Sequence, residues 1–315
     1  MCKKIIVLFL FIVIIFVTFY VVLFRQQKVI SSWAYQLQNA DPVEISKSKF
    51  DLVVIDYSRD GTDEMRYTSE EIDMIKKAGI IPLAYISIGE AEDWRFYWND
   101  SWHNDPPKWL GNENSEWPGC YAVEYWYYEW HTIIFRYVDK ILEAGFVGLY
   151  LDKVDEFEYW SDPDNGENFT MLEEESAELM IDFIIEISEY ARSKVGENFI
   201  IVPQNGERLL EYDNGSLLEM VSGWAVEDLF YNGLEKLSFD ITNERTKYID
   251  RVRSSGKFVL VVDYVDDGSG YSGENKNRID DFIQLSRSRG YVPYVAKVDR
   301  ELDELNIIPS VQPHG

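Results

Sequence analysis

Five times along this chain a helix-like segment stops at a glycine and a short, largely apolar run follows. Residues 69–78 stop at Gly79, 133–144 at Gly145, 173–195 at Gly196, 243–255 at Gly256 and 275–289 at Gly290. Glycine ends helices because it enters the left-handed region without a Cβ penalty. Eight apolar runs can be marked in all: 32–38, 51–56, 81–87, 147–151, 199–202, 222–226, 258–262 and 291–295. Their apolarity is continuous rather than alternating, which predicts strands covered on both faces, as in a parallel sheet. Eight such strands within roughly 265 residues match an α/β fold of the (β/α)8 TIM-barrel kind. An open doubly wound sheet is the competing layout. It needs phosphate-binding glycines after its first strand, and residues 38–44 contain none.

Residues 1–25 stand outside that pattern. Residues 5–24 are apolar except for Thr18, with Lys3 and Lys4 before them and Arg25 and Lys28 after. A helix of that length spans about 30 Å, the hydrocarbon core of a bilayer. The exit reads Phe24-Arg-Gln-Gln-Lys28, without small residues for a cleavage site. The expectation is one N-terminal transmembrane helix that anchors an extracellular domain, 26–315, to the membrane. A cleaved signal, giving a secreted protein, is the alternative. The domain carries one abnormal connection at about 90–128, far longer than the usual few residues. Seven of the ten tryptophans, from Trp94 to Trp130, fall in or just after it.

Composition narrows the partners. The 315 residues include 56 acids and 30 bases, a formal charge of −26. Such a chain repels phosphates, so no nucleic acid is expected. Two cysteines, Cys2 and Cys120, cannot staple a disulfide scaffold. His103, His131 and His314 are scattered, and no Cys-x-x-Cys is present, so no metal site is expected. The segment Asp162-Pro-Asp164-Asn-Gly166 resembles part of a calcium loop but lacks the terminal Glu, and reads as a surface turn.

In a parallel barrel the chemistry belongs at the C-terminal ends of the strands. There the sequence places Asp56-Tyr57, then Glu90 and Glu92 with Trp94, Arg95 and Trp98, then Asp152 with Asp155. Gln204-Asn205, Glu227-Asp228 and Asp263-Tyr264 follow on later strands. Glycoside hydrolysis needs two carboxyl groups flanking an anomeric carbon, one as acid and one as nucleophile or base. Tryptophan and tyrosine offer flat apolar faces to sugar rings. A serine hydrolase is disfavoured, because there is no Gly-x-Ser-x-Gly and no strand-end histidine. A non-catalytic carbohydrate-binding surface barrel would use the same residue types.

Several strings carry a resemblance: Trp33-Ala-Tyr-Gln-Leu-Gln38, Tyr85-Ile-Ser-Ile-Gly-Glu-Ala-Glu92 with Arg95, Gly145-Phe-Val-Gly-Leu-Tyr-Leu-Asp152 with Asp155, Pro203-Gln-Asn-Gly206 and Trp224-Ala-Val-Glu227. From about residue 32 to 297 the chain resembles family 114 glycoside hydrolases, which contain endo-α-1,4-polygalactosaminidases. It departs at Val147, where relatives often have Asp in a Gly-Phe-Asp-Gly string. The resemblance implies a (β/α)8 fold, no metal or other cofactor, a polysaccharide substrate and catalytic carboxylates at Asp152 and Glu227. With Asp152 as nucleophile and Glu227 as acid, then base, the carboxyl groups should stand about 5 Å apart and configuration should be retained. Asp228 could replace Glu227. Asp56, Tyr57, Glu90, Glu92, Trp94, Arg95, Trp98, Asp155, Gln204, Asn205, Asp228, Asp263 and Tyr264 are the expected substrate-binding set. Arg95 is expected to pair with one of the acids, and the tryptophans either stack on sugars or pack the long loop.

Overall fold

Eight parallel strands form in the expected order, and each coincides with an apolar run. They are β1 Trp33–Tyr35, β2 Leu52–Ile55, β3 Ile81–Ser87, β4 Gly148–Asp152, β5 Ile200–Pro203, β6 Gly223–Glu227, β7 Phe258–Asp266 and β8 Val292–Lys297. This computed structural model describes residues 29–313. The chain divides into two units, Met1–Ser31 and Ser32–Gly315, and the regular elements described belong to the second. The expected membrane helix lies outside the described residues. Among the described residues no helix is long and apolar enough to cross a membrane.

Strands β1 to β5 hydrogen-bond in sequence order as one sheet, and β6, β7 and β8 as another. An isolated parallel bridge, Gln204 to Ala225, joins β5 to β6. At the other seam the Trp33 indole donates to the Val292 carbonyl at 2.9 Å, tying β1 to β8. The strand residues are buried almost throughout, as two-sided cover requires. Val147, the departure from the family string, lies just before β4, where its N–H bonds Pro82 O.

The long helices lie between strands: α1 Ser69–Lys77, α2 Tyr128–Ala144, α3 Glu173–Val195, α4 Phe239–Ser254 and α5 Gly273–Ser288. Helix α1 starts in a capping box. Thr68 Oγ1 accepts from the Glu71 N–H, and Glu71 Oε2 accepts from the Thr68 N–H, which satisfies two orphan donors. Helix α2 stops where Gly145 takes φ 92°. Helices α2 and α4 begin four to five residues before their sequence bounds. Ser238 caps α4 through its hydroxyl. Both early starts carry exposed aromatic residues, Tyr128 and Phe239, that do not read as a helical face.

The long connection after β3 is a structured excursion. Glu90–Glu92, Leu110–Glu113 and Cys120–Val123 form a small antiparallel sheet with Cys120–Val123 in the middle. Its tryptophans pack ring to ring: Trp98 against Trp102 at 5.1 Å, Trp102 against Trp109 at 5.2 Å, and Trp109 against Trp130 of α2 at 5.2 Å. Trp130 in turn donates to Ile88 O, just past β3. The loop-packing alternative therefore describes Trp98.

Candidate active site

Asp152 closes β4 and Glu227 closes β6. Each is held by a tyrosine hydroxyl from a neighbouring strand. Tyr85 on β3 donates to Asp152 Oδ2 at 2.7 Å, and Tyr264 on β7 donates to Glu227 Oε2 at 2.9 Å. Asn205 fixes Glu227 twice: its amide donates to Oε1 at 3.2 Å, and its carbonyl oxygen accepts the Glu227 N–H at 3.1 Å. Burial pushes the Asp152 carboxyl above its ordinary range, and the Lys153 ammonium and the Tyr85 hydroxyl pull it back. Burial also pushes Glu227, up to about 7, and the Asp152 charge is the next largest cause. Two carboxyl groups that sense each other, one beside an ammonium and one against hydroxyl and amide, have separate protonation preferences.

A second group of acids has a different partner. Arg95 Nη1 lies 2.7 Å from Asp56 Oδ2 as an ion pair, and its Nε and Nη2 fork onto Glu92 at 2.5 and 3.2 Å. All three side chains are buried. Burial raises the Asp56 and Glu92 carboxyls, and the guanidinium opposes it. Glu90 shares a face with Glu92, because residues two apart on a strand point the same way. It receives Lys153 Nζ at 3.0 Å and the Asn114 amide at 2.7 Å. Asp155 follows on the loop, its carboxyl pushed by burial up to about 6.

These groups surround a cavity of about 740 Å³. Eight carboxylates and four cationic side chains line it, so it is acidic. Of the expected residues, Asp56, Glu90, Glu92, Trp94, Arg95 and Asp152 face it, as do Asp155, Gln204, Asn205, Glu227 and Tyr264. Trp94 is 41% exposed and lies against Gly61, where an added Cβ would sit 2.4 Å from the indole.

Four expected residues do not line it, and for Tyr57, Trp98 and Asp263 this corrects the sequence reading. Tyr57 is buried, with its hydroxyl toward Gly61 O. Trp98 serves the ring stack of the excursion. Asp263 is fully buried and accepts the N–H groups of Leu229, Phe230 and Tyr231 at 2.9 Å each, bracing the turn after β6. Asp228 turns away to bind Arg300 at 2.8 Å, and borders a separate pocket. Strand alternation explains one of these: in Asp263-Tyr264, within β7, only one of two consecutive side chains faces inward, whereas Asp228 leaves β6 at φ 50°. That parity was available in the sequence.

Other site residues had not been singled out. Tyr35 of β1 donates to Gln204 Oε1 at 3.2 Å. Trp117, 57% exposed, joins Trp94 at the cavity wall. Arg300 follows β8 and stacks its guanidinium 4.1 Å over the Tyr264 ring. Arg245 of α4 pairs with Glu207 and donates to the main-chain carbonyls of Glu227 and Asp228 at 2.9 and 3.0 Å.

Parallel strands ending in two differently held carboxylates, within an acidic aromatic cleft, are the arrangement of a glycoside hydrolase. The chain belongs to glycoside-hydrolase family GH114, whose model matches residues 23–312. It is 63% identical over 275 residues to an uncharacterised protein of Methanocaldococcus jannaschii, covering 87% of this chain and 78% of that one. An uncharacterised protein of Thermotoga maritima is 49% identical over 282 residues, covering 90% and 85%. Among solved structures, the glycoside hydrolase domain of PelA from Pseudomonas aeruginosa superposes with a TM-score of 0.63 at 19% identity, over 88% of this chain and 98% of that one. Aspergillus fumigatus Ega3, in complex with galactosamine, gives 0.63 at 18% identity over 89% and 95%. These two likenesses concern the fold.

Proposed function

We propose that this glycoside hydrolase cuts a galactosamine-rich polysaccharide internally, with retention of configuration, using Asp152 as nucleophile and Glu227 as acid and then base. The carrying observation is that both carboxyl groups line one cavity, each held by a tyrosine hydroxyl, with the Lys153 charge acting on Asp152 and the Asn205 amide on Glu227. Glu227, pushed up to about 7, keeps a proton to give to the leaving oxygen. Asp152, beside Lys153, attacks the anomeric carbon as a carboxylate. Glu227, now ionised, draws a proton from the water that releases the sugar. The excess of carboxylates in the cavity favours a polymer bearing free ammonium groups. The galactosamine held by Ega3 supports the same sugar class.

The framework is read as a closed (β/α)8 barrel spanning residues 26–315, supported by the Gln204–Ala225 bridge and the Trp33–Val292 bond at its two seams. Residues 5–24 are read as an uncleaved anchor that holds the domain outside the membrane, supported by their length and apolarity. Finding the protein in the soluble fraction, with a mature N-terminus beyond residue 24, would replace the anchor with a secretory signal.

The central test is reducing-sugar release from 1,4-linked galactosamine polymers, with the anomer formed first followed by NMR. Wild-type release lost in Asp152→Asn and Glu227→Gln is expected. Undiminished release in both variants would sink the assignment, and an inverted first product would remove Asp152 as nucleophile.

A further inference from the structure

Beyond Glu227 lies a second, smaller pocket of about 400 Å³. It shares Glu227, Asn205 and Asp155 with the main cavity, but Asp152 borders only the larger one. Glu227 therefore borders both spaces, reaching the smaller one beside Arg245, which holds its main-chain carbonyl, whereas Asp152 borders one. A nucleophile must touch the sugar whose anomeric carbon it attacks, whereas the acid stands at the oxygen joining that sugar to the leaving chain. A space that meets the acid and not the nucleophile lies on the leaving side of the bond.

Resting on the galactosamine reading above, we infer that the second pocket binds the leaving half of the polymer, so that the chain lies with its non-reducing half in the large cavity and its reducing half beside α4. The two halves meet different chemistry. The large cavity has the indoles of Trp94 and Trp117. The smaller pocket has no tryptophan and six carboxylates against two arginines. Both arginines are engaged: Arg245 holds Glu207 and the carbonyls after Glu227, and Arg208 bridges Glu158 and Glu173. Stacking thus serves the sugars that stay through the covalent step, and charge serves the half that departs. Glu158 and Glu244 are the exposed members of this set, and binding through exposed carboxylates releases its product readily and weakens with salt. Space on both sides of the acid is also what internal cutting needs.

The test uses the full-length protein and a galactosamine hexamer labelled at its reducing end. Glu158→Gln combined with Glu244→Gln removes two carboxylates of the smaller pocket and leaves Asp152 and Glu227 untouched. Weaker hold on the leaving half lets the hexamer slide, so the cuts move toward the label, and the share of short labelled fragments rises about threefold. The ratio of fragments does not depend on how much protein is folded. Cuts that stay in place, or move away from the label, would overturn the inference while leaving the substrate reading intact. A wild type that cuts no hexamer would overturn the galactosamine reading and this inference together.

Discussion

Two pairs of carboxylates, one buried and one half-buried, stand at the same end of the strands and are held in different ways. Asp56 and Glu92 share the guanidinium of Arg95. Asp152 and Glu227 instead take tyrosine hydroxyls. A guanidinium keeps its charge at any physiological pH, so acids gripped by it are fixed in place and their charged forms are favoured against burial. A hydroxyl holds a carboxyl in place while leaving it free to gain or lose a proton. On the proposed assignment the partner, rather than the position at a strand end that both pairs share, separates reactive from structural carboxyls.

The hardest blow to this contrast is removal of the two carboxyls proposed to react. Glu227→Gln and Asp152→Asn should each lower kcat about 10²–10⁴-fold, measured by reducing-sugar release, with thermal unfolding little changed. A comparable fall in kcat for Asp56→Asn, in protein that remains folded, would break the contrast.

Next in size is Arg95→Met. It leaves two buried carboxylates facing each other without their cation, and should cost about 3–5 kcal/mol of stability in denaturant unfolding. Midpoints that match wild type would mean that the Arg95 cluster is not structural.

Hydroxyl removal gives a finer test. A hydroxyl that donates to a carboxylate favours its charged form, so each Tyr→Phe change raises the carboxyl it served. In Tyr264→Phe, Glu227 keeps its proton to higher pH, and the alkaline limb of kcat/KM moves up. In Tyr85→Phe, Asp152 stays neutral to higher pH, and the acidic limb moves up. Each change should cost roughly fivefold at the optimum, the worth of one hydrogen bond. Limbs that move together in both variants would show that the two carboxyls titrate as a unit.

Much of this was legible in the sequence, for definite reasons. The strands could be read because parallel strands buried on both faces leave continuous apolar runs, and the acids because those runs stop where solvent begins. The strand-end places of Asp152 and Glu227 followed from that, while their selection as the catalytic pair came from the family resemblance. The tyrosine partners did not follow: Tyr35 and Tyr85 sit inside apolar strands and look like core until strand register sets their hydroxyls beside Gln204 and Asp152. The excursion was opaque too. Its sheet pairs Glu90–Glu92 with Cys120–Val123, a nonlocal match that no periodicity announces. Arg245 and Arg300 act across the fold from α4 and from the segment after β8, so neither lies near a site motif in the chain.

The excursion also supplies the smallest and most discriminating prediction. Nearness along the chain to β3 pointed to Trp94 and Trp98, whereas the structure puts Trp94 and Trp117 at the cavity and Trp98 inside the ring stack. Trp117 sits in the turn that leads into Cys120–Val123, where its carbonyl accepts the Cys120 N–H, so the small sheet carries it back to the wall. An exposed indole stacked on a sugar adds about 0.5–1.5 kcal/mol. Trp117→Ala should therefore raise KM for the polymer roughly two- to tenfold, with kcat and the melting midpoint nearly unchanged. Trp98→Ala removes a ring from a packed stack, and should instead lower the midpoint by several degrees. If Trp98→Ala raised KM in stably folded protein while Trp117→Ala did not, sugar stacking would belong to the tryptophan that chain position suggested.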